Sequence, residues 1–171
     1  GLMRAATALG LHPLWSHNTG SIGEPEAAQI GSASEGMLLG GTSPTFRDTK
    51  YPGIAKFVAD EKASGFDSNP VNLKATGIDA WMSVYAIKAI AAKIKGSVTS
   101  KNLTAALNAQ KTPLNIQGLV QWTPGKAGPA AYPRWSSITE YFETIKGGQE
   151  VAWGGSLATP INPMVAQKLV H

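Results

Sequence analysis

The 171-residue chain contains no cysteine. Disulfides therefore neither brace it nor report its compartment, and cysteine chemistry of every kind is excluded. Charge is also scarce. Asp, Glu, Lys and Arg make up 15% of the residues, against about a quarter in an average domain, so a large share of the chain is expected to be buried. No apolar run approaches the ~18 residues of a membrane span. Histidine is limited to His12, His17 and His171. The first two are five residues apart and the third is terminal, a spacing that suits no metal centre, so no metal is expected. His12 reads as a half-buried strand residue.

Catalytic motifs are missing as well. There is no Gly-x-Ser-x-Gly elbow. The stretch Gly20-Ser21-Ile22-Gly23 sets a serine between glycines without that spacing or an assignable acid–base partner. Neither Gly-x-Gly-x-x-Gly nor a phosphate loop occurs, and Gly125-Lys126 lies in a proline-rich loop with no helix behind it. Asp60 and Glu61 are adjacent and diverge on a helix, while Glu24 and Glu26 are explained by a helix start. The expectation is a non-enzyme without cofactors. Fifteen basic against eleven acidic residues give +4 and a pI near 9.4. The cations are spread singly from Arg4 to Lys168 rather than clustered among aromatics, so no nucleic-acid partner is expected.

What is present is organised around Thr76 to Ile94. Ile78, Trp81, Met82, Tyr85, Ala89 and Ala92 recur at helical spacing. A second row, Val84, Ile87, Ala91 and Ile94, widens that face until little polar surface is left, which predicts a helix buried on nearly all sides. Thr76 with Asp79 resembles a capping box, and Gly96 is the stop.

Before it, Leu2–Leu9 reads as a helix closed by Gly10, Leu11–Ser16 as a buried strand, and Glu26–Gly31 as a short helix opened by Pro25. Met37–Leu39 reads as a second strand. That order suggests half of an α/β layer with a parallel sheet. Thr42–Pro52 is a linker, Gly53–Ala63 a helix, and Thr99 or Ser100 caps a helix to Gln110. From Thr112 the texture turns to Pro, Gly and β-formers. Ile138–Ile145 is a strand, Gly147-Gly148 a hairpin turn, and Gln149–Trp153 its partner. The end, GGSLATPINPM, reads as irregular. In an open α/β sheet ligands sit beyond the carboxyl ends of strands. The loop Trp15–Gly20 takes that place and offers recognition groups rather than reactive ones: an indole, an imidazole, an amide and hydroxyls.

Several strings in order, ATALGLH, SASEGMLL, PGIAKFVADEKASG, GIDAWMSVYAIKAI, SKNLTAALNA, IQGLVQWTP and YFETIKGGQEV, together resemble the type I periplasmic substrate-binding proteins of ABC transporters, the branched-chain amino-acid-binding kind. The resemblance covers nearly the whole chain but only the C-terminal half of the family. It implies α/β architecture: parallel-sheet sandwich lobes of a clamshell, as a partial chain. Residues 1–42 would belong to one lobe, 43–141 to the other, and 142–171 would form the return crossover and tail. It implies a bacterial, periplasmic or extracytoplasmic protein with a signal peptide when full-length. The partners would be a membrane permease, a small-molecule ligand and the missing N-terminal half of the same protein.

Counting back from Glu35-Gly36-Met37, Thr19 falls where amino-acid-binding relatives place a carboxylate for the ligand ammonium. Threonine cannot neutralise a buried cation. A neutral, aromatic or carboxylate-bearing ligand is therefore favoured over a simple amino acid. The expected ligand-binding residues are His17, Asn18 and Thr19, facing Lys74, Ala75 and Thr76 at the start of the long helix. The alternative is a ligand-sensing module of the same fold in a receptor or regulator.

Overall fold

The structure, a computed structural model, describes residues 1–126 and 140–153. Helix α1 (Leu2–Ala8) ends where Gly10 takes a positive φ of 70°, which lets the Leu11 amide turn back to the Ala6 carbonyl at 2.9 Å. Strand β1 (Ser16–Asn18), helix α2 (Glu24–Ile30) and strand β2 (Leu38–Gly41) follow, with a 3₁₀ turn over Gly31–Ser34. After a crossover segment, residues 42–51, that carries no helix or strand, α3 (Pro52–Ser64) and α4 (Ala75–Ala91) are joined by two 3₁₀ turns. Then come α5 (Ser100–Ala109), β3 (Leu114–Ile116), β4 (Val120–Trp122), β5 (Tyr141–Lys146) and β6 (Gln149–Ala152).

The main sheet runs β1-β2-β5-β6. Among the described residues only β1 and β2 are parallel; β5 pairs antiparallel with both β2 and β6. The α/β reading holds, and the parallel character is confined to that first pair. β3 and β4 form a separate hairpin. Among the described residues no helix is long and apolar enough to cross a membrane.

Apolar burial divides in two. One core gathers Ala27, Met37, Leu39 and Ile145 between α2 and the main sheet. The other gathers Ile54 and Phe57 of α3, Ile78, Met82 and Ala86 of α4, and Ile116 and Leu119 of the small hairpin. Tyr141 and Ala152, with Tyr51 packed on them, lie at a third, smaller contact. The Tyr141 hydroxyl donates to the Leu119 carbonyl at 2.8 Å, and its ring meets Tyr51 edge-on with centroids 6.2 Å apart.

Several sequence expectations are corrected here. Leu11–Ser16 is not a buried strand. Pairing starts at Ser16, while Leu11 and Leu14 are 56% and 79% exposed and His12 is exposed too. Pro13 lacks the amide a ladder needs, so the apolar residues around it do not enter the sheet. The long helix starts at Ala75 without a side-chain cap, and Asp79 instead accepts from Thr42 at 2.6 Å. The helix ends at Ala91, and Val84 and Ile87 stand 65% and 50% exposed, so it is not buried all round. α2 starts at Glu24, with Pro25 in its first turn as expected. Of the two cap candidates, Thr99 and Ser100, it is Thr99 that caps α5, accepting from the Asn102 amide at 3.2 Å. β5 opens at Tyr141; Ile138 and the stretch GGSLATPINPM lie outside the described residues.

Phe57 is fully buried against Trp81, with ring centroids 5.8 Å apart. Phe57→Ala is expected to cost about 3–5 kcal/mol, since a large cavity opens in the second core. Urea unfolding followed by tryptophan fluorescence measures this; a loss under about 1 kcal/mol would show that α3 does not carry that core.

Candidate functional site

β1 runs out into a turn that its own last residue closes. The Asn18 side-chain oxygen accepts the Ser21 amide at 2.8 Å, which fixes Gly20 and Ser21 beyond the strand end. The Thr19 amide continues the β1–β2 pairing by donating to the Gly40 carbonyl at 3.0 Å. Its side chain is 2% exposed and lies over Gly41, where a Cβ would collide with Thr19 Oγ1. Gly41 is thus the residue that makes room for Thr19 against the sheet.

A second segment meets this turn from α4. Asn69 accepts the Val71 amide at 3.1 Å and starts the 3₁₀ turn Pro70–Leu73. Lys74 is extended and α4 begins behind it. Gly77 lets the Asn72 carbonyl approach the helix, because a Cβ there would strike that oxygen. The two segments touch at Gly20, whose Cβ position is 3.2 Å from Thr76 Cγ2 and 3.3 Å from Asn18 Oδ1. They meet again at Gly23, where a Cβ would lie 3.1 Å from the Lys74 side chain.

Lys74 joins the two. Its ammonium donates to Glu26 Oε1 at 2.9 Å, and the Ser21 carbonyl is at 3.5 Å. The lysine side chain is 8% exposed and that of Glu26 31%. Burial works to raise the Glu26 carboxyl. The bonds from Lys74 and from the Gly23 amide outweigh it and hold the group below its ordinary value. Glu26 Oε2 also accepts the Gly23 amide at 2.9 Å, so one side chain both caps α2 and anchors the lysine.

Asn18, Lys74 and Thr76 are therefore brought to one junction, with Ala75 buried behind them. Thr19 turns into the sheet rather than outward. His17 stays on its exposed strand, where its Nδ1 accepts the Asn18 amide at 2.9 Å. Glu26 was read from the sequence only as a helix-start residue, and nothing local announces a partner 48 positions away.

The same junction is tied to the crossover segment and to the β5–β6 hairpin, the return hairpin. The Arg47 guanidinium pairs with both oxygens of Glu24, one of these bonds being 2.7 Å, and the Glu150 amide donates to Glu24 Oε1 at 3.1 Å. On the far side of Thr42, a groove of about 490 Å³ runs over Met82, Ala86, Ile87, Leu107 and Trp122. Its one carboxylate is Asp79, which burial pushes up and the Thr42 hydroxyl pulls back. Among the described residues no group of three or more His, Cys, Asp and Glu could hold a metal.

Comparison with family models and with curated proteins finds no match. Solved structures do match. A branched-chain amino-acid ABC transporter protein from Thermus thermophilus, determined with bound valine, superposes with a TM-score of 0.63 at 18% identity over 98% of this chain and 44% of that one. A possible leucine/isoleucine/valine-binding protein from Rhodopirellula baltica gives 0.64 at 16%, over 94% and 38%. The chain has the fold of part of a type I periplasmic binding protein. A leucine-binding protein from Thermotoga maritima agrees, with 0.61 at 20%, over 96% and 41%. The chain thus spans less than half the length of each of these binding proteins.

The Lys74–Glu26 pair is lopsided, and its variants should show it. Glu26→Gln strands a buried ammonium and is expected to cost about 3 kcal/mol. Lys74→Met leaves a carboxylate that still reaches water and should cost roughly 1 kcal/mol or less. Chemical denaturation of the two variants side by side decides the matter; a larger loss for Lys74→Met would mean that the lysine stem, not the charge pair, holds the junction.

Proposed function

We propose that the protein is the extracytoplasmic solute-binding component of a bacterial ABC importer, and that it traps a small organic molecule between two lobes. The observation that carries this reading is the junction itself. The turn after β1 and the start of α4 meet through Gly20, Thr76 and Lys74, in a fold shared with proteins named for leucine, isoleucine and valine binding. No catalytic constellation competes with it in the sequence.

On this reading residues 1–42 belong to one lobe, 43–141 to the other, and 142–171 return to the first. The ligand lies near His17, Asn18 and Thr19 on one side and Lys74, Ala75 and Thr76 on the other. An upstream half of the same protein supplies the opposing walls, and a membrane permease receives the solute. The groove along α4 and the exposed Val84 and Ile87 are apolar surface that such a half would cover.

The ligand class follows from charge. Thr19 supplies no carboxylate for an ammonium, and the Lys74 ammonium is already engaged by Glu26. Neutral and aromatic ligands need no exchange of partners, and a carboxylate-bearing one would have to draw Lys74 away from Glu26. A buried, unpaired α-ammonium would be costly, so simple amino acids rank last.

A thermal-shift screen of the protein joined to its upstream half, against amino acids, aromatic acids and amides, tests this. A ligand at a hundred times its Kd should stabilise the native state by about 2.7 kcal/mol. Stabilisation is expected from an amide or an aromatic compound. Strong stabilisation by leucine or valine with none by amides or acids would overturn the ligand argument, and chemical turnover of any compound would overturn the transport reading.

A further inference from the structure

The return hairpin carries two carboxyls that lie outside the proposed solute-binding set. Glu143 on β5 pairs with Ala152, and Glu150 on β6 pairs with Ile145. Glu143 and Ile145 are two residues apart, so both carboxyl side chains share one face of the hairpin and stand on a diagonal, roughly 7–8 Å apart at the backbone. They are 1% and 3% exposed. Neither oxygen of Glu143, nor Oε1 of Glu150, has a hydrogen-bond partner of ordinary geometry, and the Ser43 hydroxyl of the crossover is buried without one as well.

The charged groups facing the pair come from three elements. α2 contributes Glu24 and Glu26, the crossover Arg47 and Asp48, and the turn before α4 Lys74. Arg47 is engaged by Glu24 and Lys74 by Glu26. Among the described residues the two cations at the junction are thus matched by two other anions. Two further ionised carboxylates would be desolvated and would repel each other, and the contacts from Thr45 and the already engaged Lys74 offset only part of that cost.

We propose that Glu143 and Glu150 hold protons near neutral pH and act as a pH-sensitive tie between the return hairpin and the crossover, one that loosens as the pH rises. The device is independent of the solute and of its class. Burial, then repulsion by Glu150 and Asp48, pushes Glu143 up to about 9, against a weaker pull from the Thr45 amide. Burial, then Glu24, pushes Glu150 up to about 7, against Lys74 and the Thr45 side chain. Both folded values lie above the ordinary 4.5. The folded chain therefore binds more protons than the unfolded one from about pH 4.5 upward, and the stability present below that value is lost as the pH rises through about 7 and about 9.

Urea unfolding of the wild type, Glu143→Gln and Glu150→Gln between pH 5 and 9, together with infrared spectra at pH 7, tests the tie. The wild-type folding constant should fall by up to about tenfold per pH unit between pH 7 and 9, where Glu143 alone keeps its extra proton. Glu143→Gln should flatten that slope, and Glu150→Gln should make the part between pH 5 and 7 shallower, leaving the share that Glu143 contributes. The wild type should show the carbonyl stretch of a protonated, buried carboxyl. A wild-type stability that is flat or rising above pH 7, or a Glu143→Gln slope equal to the wild type's, would overturn the proposal. If a glutamine variant fails to fold, the wild-type spectrum decides alone: the protonated band supports the tie, and its absence at pH 7 sinks it.

Discussion

A lysine ammonium placed almost out of reach of water sets the terms for the rest of the molecule. Lys74 lies beneath Gly23, between the turn after β1 and the start of α4, and it is stable there only because Glu26 and the Ser21 carbonyl receive it. The two apolar cores on either side hold their own residues well, but burial of apolar surface has no direction. It cannot fix how a helix pair and a sheet stand to one another. Directional contacts must do that, and the structure supplies a short set of them: Lys74 to Glu26, Arg47 to Glu24, and Tyr141 to the Leu119 carbonyl. Each connects residues more than twenty positions apart.

That separation explains what could be read from the chain. Local chemistry was readable: Thr99 as a cap, Gly10 and Gly31 as helix ends, Pro25 in a first turn, and the Gly147-Gly148 hairpin. Each of these rests on neighbours a few residues away. The meeting of Asn18 with Thr76 was reached only through the family resemblance, since no spacing rule spans that gap. Leu11–Ser16 is apolar enough to suggest a strand, but in the sheet the missing amide of Pro13 decides. The family resemblance makes Thr19 a ligand-binding residue but says nothing of which way its side chain points. Its burial depends on Gly41, a residue whose lack of a side chain says nothing until the strands are paired.

The long helix shows the same limit from the other side. Its residues are apolar all round, yet Val84 and Ile87 are exposed while Ile78, Met82 and Ala86 fill the second core. Periodicity tells which residues share a face. It does not tell how many faces the described chain covers.

Charge was the least visible feature in composition and the most organised in space. The chain carries a net +4, but its junction collects Glu24, Glu26, Asp48, Glu143 and Glu150 against Arg47 and Lys74. A basic protein has gathered its acids where its two cores adjoin. Among the described residues the apolar contact there is confined to Tyr51, Tyr141 and Ala152; a larger one would have merged the cores into one, because packed side chains interlock. Polar contacts act differently: a hydrogen bond or an ion pair is lost over a small displacement and can be exchanged for water when the surfaces part. Two rigid cores joined by contacts of that kind can separate without either being disrupted. Among the described residues, such a separation would turn on the segment 42–51.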